Sequence, residues 1–144
     1  MSWLRNRLRD DRGQVLLLAP VGLLVVLLLG AVTLEAAALH LNQRQLEDLA
    51  DSLASDGATV GFDVDHFRNT DDIRIDVSEA NKVVNPGIAI SNLPSATGAA
   101  APGAVAEGVT VNLRYDHEYF LGKIIFGATT ELTATGTAVL ERSP

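Results

Sequence analysis

The residues of this chain that could do acid–base or nucleophilic chemistry are few and scattered. The chain has no Cys, and its three histidines, His40, His66 and His117, stand far apart in the sequence. No Ser lies in a Gly-x-Ser-x-Gly turn or beside an obvious base. The sequence therefore predicts no thiol chemistry and no catalytic nucleophile, and we expect the protein not to be an enzyme.

Two acidic groups come closest to a metal site. The first, between Asp63 and Asp72, contains four Asp and His66, but it lacks the turn Gly and the closing Glu of a calcium-binding loop. The second is Asp116-His117-Glu118, whose side chains would alternate between the two faces of a strand and so would not converge. We therefore expect a solvated acidic surface, with neither a metal nor a cofactor.

The charges divide the chain into a basic start and an acidic remainder. Residues 1–14 hold four Arg against two Asp, whereas residues 35–144 hold sixteen Asp and Glu against seven Lys and Arg, a net charge of −9. Nucleic-acid binding needs clustered Lys and Arg that displace counterions from phosphates. The sequence therefore argues against nucleic acid as a partner.

A run of twenty uncharged residues, Val15–Leu34, separates these two parts. As a helix it would span ~30 Å, the thickness of a bilayer's hydrocarbon core. Leu and Val near the centre of such a helix each favour insertion by roughly 0.3–0.6 kcal/mol. The run therefore predicts a transmembrane helix at 15–34, with membrane lipid as a partner. Its fourteen Leu and Val residues are the predicted anchor: Val15, Leu16, Leu17, Leu18, Val21, Leu23, Leu24, Val25, Val26, Leu27, Leu28, Leu29, Val32 and Leu34.

The flanking charges predict the orientation of this helix. An excess of Arg beside a membrane segment marks the cytoplasmic side, so we expect residues 1–14 inside the cell and residues 35–144 outside the cell membrane. The alternative is a cleaved signal peptide, because Ala36 and Ala38 form a small-x-small site. The apolar region of a signal peptide has ~7–15 residues, which favours the anchor, and the exported module stays as the alternative.

Residues 35–56 continue the helical pattern in amphipathic form. Leu39, Leu46, Leu49 and Leu53 recur at spacings of seven, three and four residues, and polar residues fill the positions between them. Gly57 then suggests a helix C-cap. We expect this apolar stripe to pack on the chain's own domain; packing on other subunits is the alternative.

Residues 57–144 have the composition of a small α+β domain. We expect a helix that Thr70 caps and that ends at Asn85-Pro86-Gly87, although alternation at residues 73–77 would also suit a strand. A short strand at Ile88–Ser91 and a flexible linker at 93–107 should follow.

The last third of the chain predicts an antiparallel sheet. Apolar residues alternate with polar ones over Val109–Tyr115 and again over Leu132–Leu140. The segment between these strands is the most apolar outside the membrane run. It is either part of the core or a patch for the membrane surface or a partner subunit. The candidate partner residues are Phe120, Leu121, Ile124, Ile125 and Phe126.

Three stretches of this sequence resemble one family. Arg12-Gly13-Gln14 before the apolar run, followed by the helix end at Gln43–Ala54, resembles the N-terminal segment of TadG-like proteins of tight-adherence (Flp) pilus systems. The strand at Val109–Tyr115, the apolar insert and the strand from Leu132 are similar to TadE-like minor pilins.

The resemblance implies a pilin-like, membrane-anchored component of a bacterial pilus assembly or secretion system, with pilin or assembly subunits as partners. Cleavage after Gly13 would make Leu18 the fifth residue of the mature chain, where processed pilins usually carry Glu. This difference implies an accessory role, because the filament subunit uses that Glu within an apolar core.

Overall fold

The computed structural model describes residues 3–93, 95–105, 107–119 and 129–141, with side chains from residue 18 onward. The fold is α+β, as the sequence predicts, and the described residues form a long first helix, two short helices and one three-stranded sheet. The strands lie in the order β1-β2-β3, and both neighbouring pairs are antiparallel. The elements are α1 (Trp3–Val60), α2 (Val64–Thr70), α3 (Val77–Ala89), β1 (Thr97–Pro102), β2 (Gly108–Glu118) and β3 (Thr129–Val139).

The chain divides into two compact units, Met1–Ala38 and Leu39–Pro144, and α1 contributes residues to both. The second unit contains every residue of the hydrophobic core. In it, α1 supplies a buried face of Leu and Ala at helical spacing: Leu46, Ala50, Leu53, Ala54 and Ala58. Burying a Leu side chain contributes about 1.5–3 kcal/mol, so this face contributes a large share of the unit's stability.

The apolar stripe of α1 packs on the chain's own domain, as expected. Leu46 and Leu53 are buried, whereas Leu39 and Leu49 are partly buried against the same core. Two details of this helix differ from the prediction. The helix continues to Val60, so Gly57 is not its C-cap. Gly57 instead lies in the contact with α3, since a Cβ there would be 3.5 Å from the side chains of Ala80 and Val84.

Strands β2 and β3 confirm the predicted alternation. Val109, Val111 and Leu113 are at most 1% exposed, and they face the core together with Leu132 and Ala134 of β3. The pairing joins Val111 to Gly136 and Leu113 to Ala134, which places the small residues of β3 on the face that α1 covers.

Gly136 is where β3 lies closest to α1. A Cβ atom at this position would stand 2.2 Å from the backbone carbonyl carbon and oxygen of Ala50, a distance that real Cβ atoms do not reach. The sheet can therefore rest directly on the helix backbone only because residue 136 has no side chain. This contact fixes how far β3 stands from α1.

The helix predicted from Thr70 begins later than expected. Thr70 ends α2, and Asp71 follows it in the left-handed conformation with φ 56°. Asp76 is the N-cap of α3, since its Oδ1 accepts a hydrogen bond from the Ser78 amide at 2.8 Å. Ile75, one residue before this cap, is buried and pairs with Phe62 through an isolated bridge, which keeps the preceding segment extended.

Helix α3 also continues past Asn85-Pro86-Gly87, so the predicted stop and the predicted strand at Ile88–Ser91 are wrong. Proline inside a helix costs ~3 kcal/mol because one backbone hydrogen bond is lost. The burial of Val84 and Ile88, one turn apart on the face toward the core, offsets that cost.

The segment 93–107 is not wholly irregular, because β1 occupies Thr97–Pro102. There the prediction of a flexible linker is wrong. The Asn81 side chain of α3 holds the strand at Ala100: its Oδ1 accepts from the Ala100 amide at 2.9 Å, and its Nδ2 donates to the Ala100 carbonyl at 3.3 Å. The short side chains that suggested a linker let α3 come this close to the strand.

Shortening Leu46 should destabilise the second unit by about 2–5 kcal/mol, because it would leave a cavity in the core. Leu46→Ala is compared with Leu41→Ala on the same helix, whose side chain is 59% exposed. Both tyrosines of the chain lie in the second unit, so tyrosine fluorescence during urea unfolding of the detergent-solubilised protein reports the change. Equal losses from the two variants would contradict the packing described for α1.

Adding one methyl group at Gly136 should lower the free energy of unfolding of the second unit by roughly 1–3 kcal/mol or more, because β3 must move away from α1. The matched control is Thr137→Ala, the next residue along β3, whose side chain is exposed. The same unfolding measurement compares Gly136→Ala with this control. A Gly136→Ala variant as stable as the control would show that β3 does not rest on the helix backbone.

Candidate functional site

The apolar segment of α1 is the strongest functional feature of the described structure. The described part of this helix, Leu18–Val60, contains an 18-residue stretch of mean hydropathy 2.3, none of it buried. By length and composition it is able to cross a membrane. Its large side chains are between 46% and 73% exposed: Leu18, Val21, Leu23, Leu24, Val25, Val26, Leu27, Leu28, Leu29, Val32 and Leu34.

The polar and small residues of this segment fit an apolar environment. The Thr33 hydroxyl donates to the Leu29 carbonyl at 2.8 Å, so it needs no partner outside the helix. A Cβ atom added at Gly22 or Gly30 would have no atom of another described element within 4 Å, so neither glycine marks a close contact. Pro20 lies inside the helix, where membrane proteins tolerate it. The segment therefore exposes hydrocarbon on all sides.

Exposure of this kind is costly in water. Apolar surface costs about 25 cal/mol per Å² when it contacts water, and monomeric soluble proteins rarely expose contiguous apolar patches beyond a few hundred Å². A helix that is hydrophobic all round is buried in lipid or in a larger protein core. Among the residues that the structure describes, none covers this segment.

Other predicted site residues lie partly or wholly outside the described residues. Arg12, Gly13 and Gln14 belong to the helical backbone of α1, and nothing is described of their side chains or of those at 15–17. The candidate partner patch falls in 120–128, outside the described residues, so it stays a prediction. Its members are Phe120, Leu121, Ile124, Ile125 and Phe126.

Two of the acidic residues between Asp63 and Asp72 contact His66. Asp63 is the N-cap of α2, where its Oδ1 accepts from the His66 amide at 2.9 Å. The ring of His66 lies 3.7 Å from a carboxylate oxygen of Asp72, on the surface. Within the described residues, no group of three or more His, Asp or Glu is arranged to hold a metal ion.

A groove of about 480 Å³ lies beside these acids. Asp63 and Asp76 line it together with Arg74 and residues from the turn before β2. Both carboxylates already accept hydrogen bonds from helix N-termini, which leaves them poorly suited to act as a general acid and base. Among the lining residues that the structure describes, these two carboxylates therefore do not form an acid–base pair.

Sequence reasoning missed one cluster, at the last residues of β2. His117 is 7% exposed, and the side-chain nitrogen Nδ2 of Asn42 donates to its Nδ1 at 2.9 Å. The Tyr119 ring meets the imidazole edge-on at 5.3 Å, and the Thr130 hydroxyl donates to the Tyr119 oxygen at 2.9 Å. The alternation that buries residues 109–113 continues to position 117, and this signal could have predicted the inward-facing histidine.

Asp116 and Glu118 point away from this cluster, to the exposed face of the sheet. The expectation that His117 does not converge with its neighbours in sequence is thus confirmed for these two residues. The imidazole is enclosed by an amide and aromatic rings, an arrangement that suits packing and orientation.

Neither family models, curated proteins nor solved structures give a significant match to this chain.

Two arginines in the middle of the apolar segment should release the protein from membranes. Each Arg raises the free energy of membrane insertion by roughly 2.5–3.5 kcal/mol at the centre of a helix, and each replaces a Leu that favours insertion. Leu27→Arg with Leu28→Arg is compared with the double Ile variant at the same positions. Both leucines lie outside the core, so the second unit should keep its stability. Alkaline extraction of membranes measures the result; retention of the double Arg variant would exclude membrane insertion of this segment.

Proposed function

We propose that this protein is a membrane-anchored, pilin-like accessory component of a Tad/Flp-type pilus assembly or secretion system, and not an enzyme. One observation supports the proposal most: a single helix carries an exposed apolar segment of membrane-spanning length and then supplies the core face of a small α+β domain. The resemblance to pilins implies a membrane-anchored helix that leads into a small exported domain.

The charge asymmetry supports an orientation for the anchor. Four Arg precede the apolar segment, and the net charge of −9 follows it. With the basic end retained in the cytoplasm, the second unit lies outside the cell membrane.

The apolar run favours an accessory role over that of the filament subunit. No acidic residue occurs between Val15 and Leu34, and Leu18 stands where processed pilins of the resembling family usually carry Glu. A charge in an apolar filament core is costly unless a neighbouring subunit pairs with it. This chain has no such charge to direct its stacking, so it contacts pilins or assembly subunits through its exported domain instead.

The alternative function is an exported binding module that has lost its apolar segment. It is favoured by one observation: Leu39–Pro144 is a compact unit with its own core, and it begins just after the small residues Ala36 and Ala38. Such a module could leave the membrane after cleavage and bind a ligand without any role in a pilus.

The mass of the natural protein separates these two functions. The intact mass and N-terminal sequence are measured on protein from the membrane fraction and the medium of its own host. A chain that starts at Met1 or Ser2 in membranes supports the retained anchor. A start near Leu39 supports the exported module, and a start at Gln14 would assign the protein to the processed filament pilins.

Removal of the gene tests the pilus role. Loss of an accessory component should reduce surface pili at least tenfold in electron micrographs, and the wild-type gene should restore them. The double Arg variant at Leu27 and Leu28 should fail to restore them, because its domain is no longer held at the membrane, whereas the double Ile variant should succeed. Unchanged piliation in the deletion strain would reject the role in assembly.

A further inference from the structure

Strand β3 lies at one edge of the sheet, so one side of its backbone faces no other described strand. In an antiparallel ladder, alternate residues direct their amide and carbonyl groups to opposite sides. The amide of Leu140, just past β3, donates toward β2, to the Glu107 carbonyl at 3.0 Å. The odd-numbered residues of β3 therefore direct these groups outward. The Thr133 carbonyl agrees, because it accepts from Gln43 of α1 on the outer side.

This outer edge is open over the later part of β3. Among the described residues, only Gln43 donates to it, at the Thr133 carbonyl. The outward amide and carbonyl groups of Thr135 and Thr137 have no hydrogen-bond partner among those residues, and both side chains are exposed. Proteins usually interrupt such an edge with Pro or Lys. Strand β1 ends in Pro102, whereas residues 133–139 contain neither Pro nor Lys.

Acidic side chains of α1 lie beside this open edge. The Gln43 Nε2 that donates to Thr133 also donates to the Glu47 carboxylate at 2.8 Å, which places that carboxylate at the edge. Asp51 is one turn further along α1, on the same side of the helix. Its backbone nitrogen lies 2.5 Å from where a Cβ atom of Gly136 would be. A strand added to β3 would therefore run along a negatively charged flank of α1.

We propose that the outer edge of β3 binds an extended, basic segment of another protein, which joins the sheet as a fourth strand. Backbone hydrogen bonds to Thr135 and Thr137 pair the strands, and Lys or Arg side chains of the segment face Glu47 and Asp51. A second copy of this chain is a poor partner. Residues 43–56 hold four acids and one Arg, so pairing two β3 strands would bring two negative flanks together. The interaction needs only residues of the second unit, so it is independent of the proposed pilus role and of the membrane anchor.

The probe is a synthetic peptide of about eight residues in which Thr and Lys alternate, because its length and charge match this edge. Its binding to the full-length protein in an uncharged detergent is measured by fluorescence anisotropy. One control peptide carries Glu in place of Lys. A second control is the Thr–Lys peptide with methylated backbone nitrogens, which cannot donate strand hydrogen bonds. Each control should bind at least tenfold more weakly than the Thr–Lys peptide.

Variants of the protein test the strand edge and the acids separately. Thr137→Pro should weaken binding of the Thr–Lys peptide at least tenfold, because it removes an outward amide and places a ring where the added strand would lie. The Thr137 amide does not face β2, so the β2–β3 pairing is kept, and the matched control Thr137→Val should bind normally. Glu47→Gln with Asp51→Asn should weaken binding at least fivefold. Asp65→Asn with Glu79→Gln removes the same charge from α2 and α3 and should have little effect.

Amide hydrogen exchange locates the bound peptide on the wild-type protein, and it still decides if Thr137→Pro does not fold. The Thr–Lys peptide should slow exchange at Thr135 and Thr137 at least tenfold. It should leave exchange at Ala134 and Gly136 nearly unchanged, because their amides already face β2.

Unchanged exchange at Thr135 and Thr137 would overturn the proposal, and so would a Thr–Lys peptide that does not bind. Binding that survives backbone methylation would show attraction between charges without strand pairing and would also overturn it. Slower exchange at these two amides when the protein concentration is raised without peptide would identify a second copy as the occupant of the edge, which contradicts the proposal as well.

Discussion

The direct contact between β3 and the backbone of α1 is the constraint on which the second unit depends. Gly136 has no side chain, so the sheet rests at Ala50, while Leu46 and Leu53, one turn before and one turn after Ala50 on α1, are buried in the core. Ala50, the buried residue of α1 between these leucines, is small for the same reason. A core with so few large side chains gains its stability from close packing, because dispersion contacts fall off steeply with distance.

The same helix meets two environments, and its residue pattern changes accordingly. Between Leu18 and Leu34 the large apolar residues lie on all sides and are exposed, as suits lipid. From Leu39 onward only one face is apolar, and that face is covered by α3 and the sheet. One continuous helix thus carries an apolar segment long enough to span a membrane and also the core face of a folded domain.

Sequence periodicity predicted the parts of this fold that depend on many residues of one kind. The long helix, its leucine stripe and the alternation in β2 and β3 follow from patterns that repeat over four or more positions. The start of α3 and the strand β1 did not follow, because each depends on a tertiary contact: Asp76 caps the helix after Ile75 is buried, and Asn81 holds Ala100. For the site, the exposed apolar segment of α1 was predictable from composition. The environment of His117 depended on Asn42, seventy-five residues earlier, which no local pattern could reveal.

Two hydrogen bonds between the Asn81 side chain and the backbone of Ala100 protect part of the free edge of β1. An exposed strand edge offers free amide and carbonyl groups to any passing strand, and such edges promote aggregation. At Ala100 the Asn81 side chain already bonds both the backbone amide and the backbone carbonyl that an incoming strand would use. Strand pairing is therefore blocked at this position of β1. A second copy of the protein that approached this edge would find the Ala100 amide and carbonyl already bonded, so copies of the chain resist joining through β1 at that position.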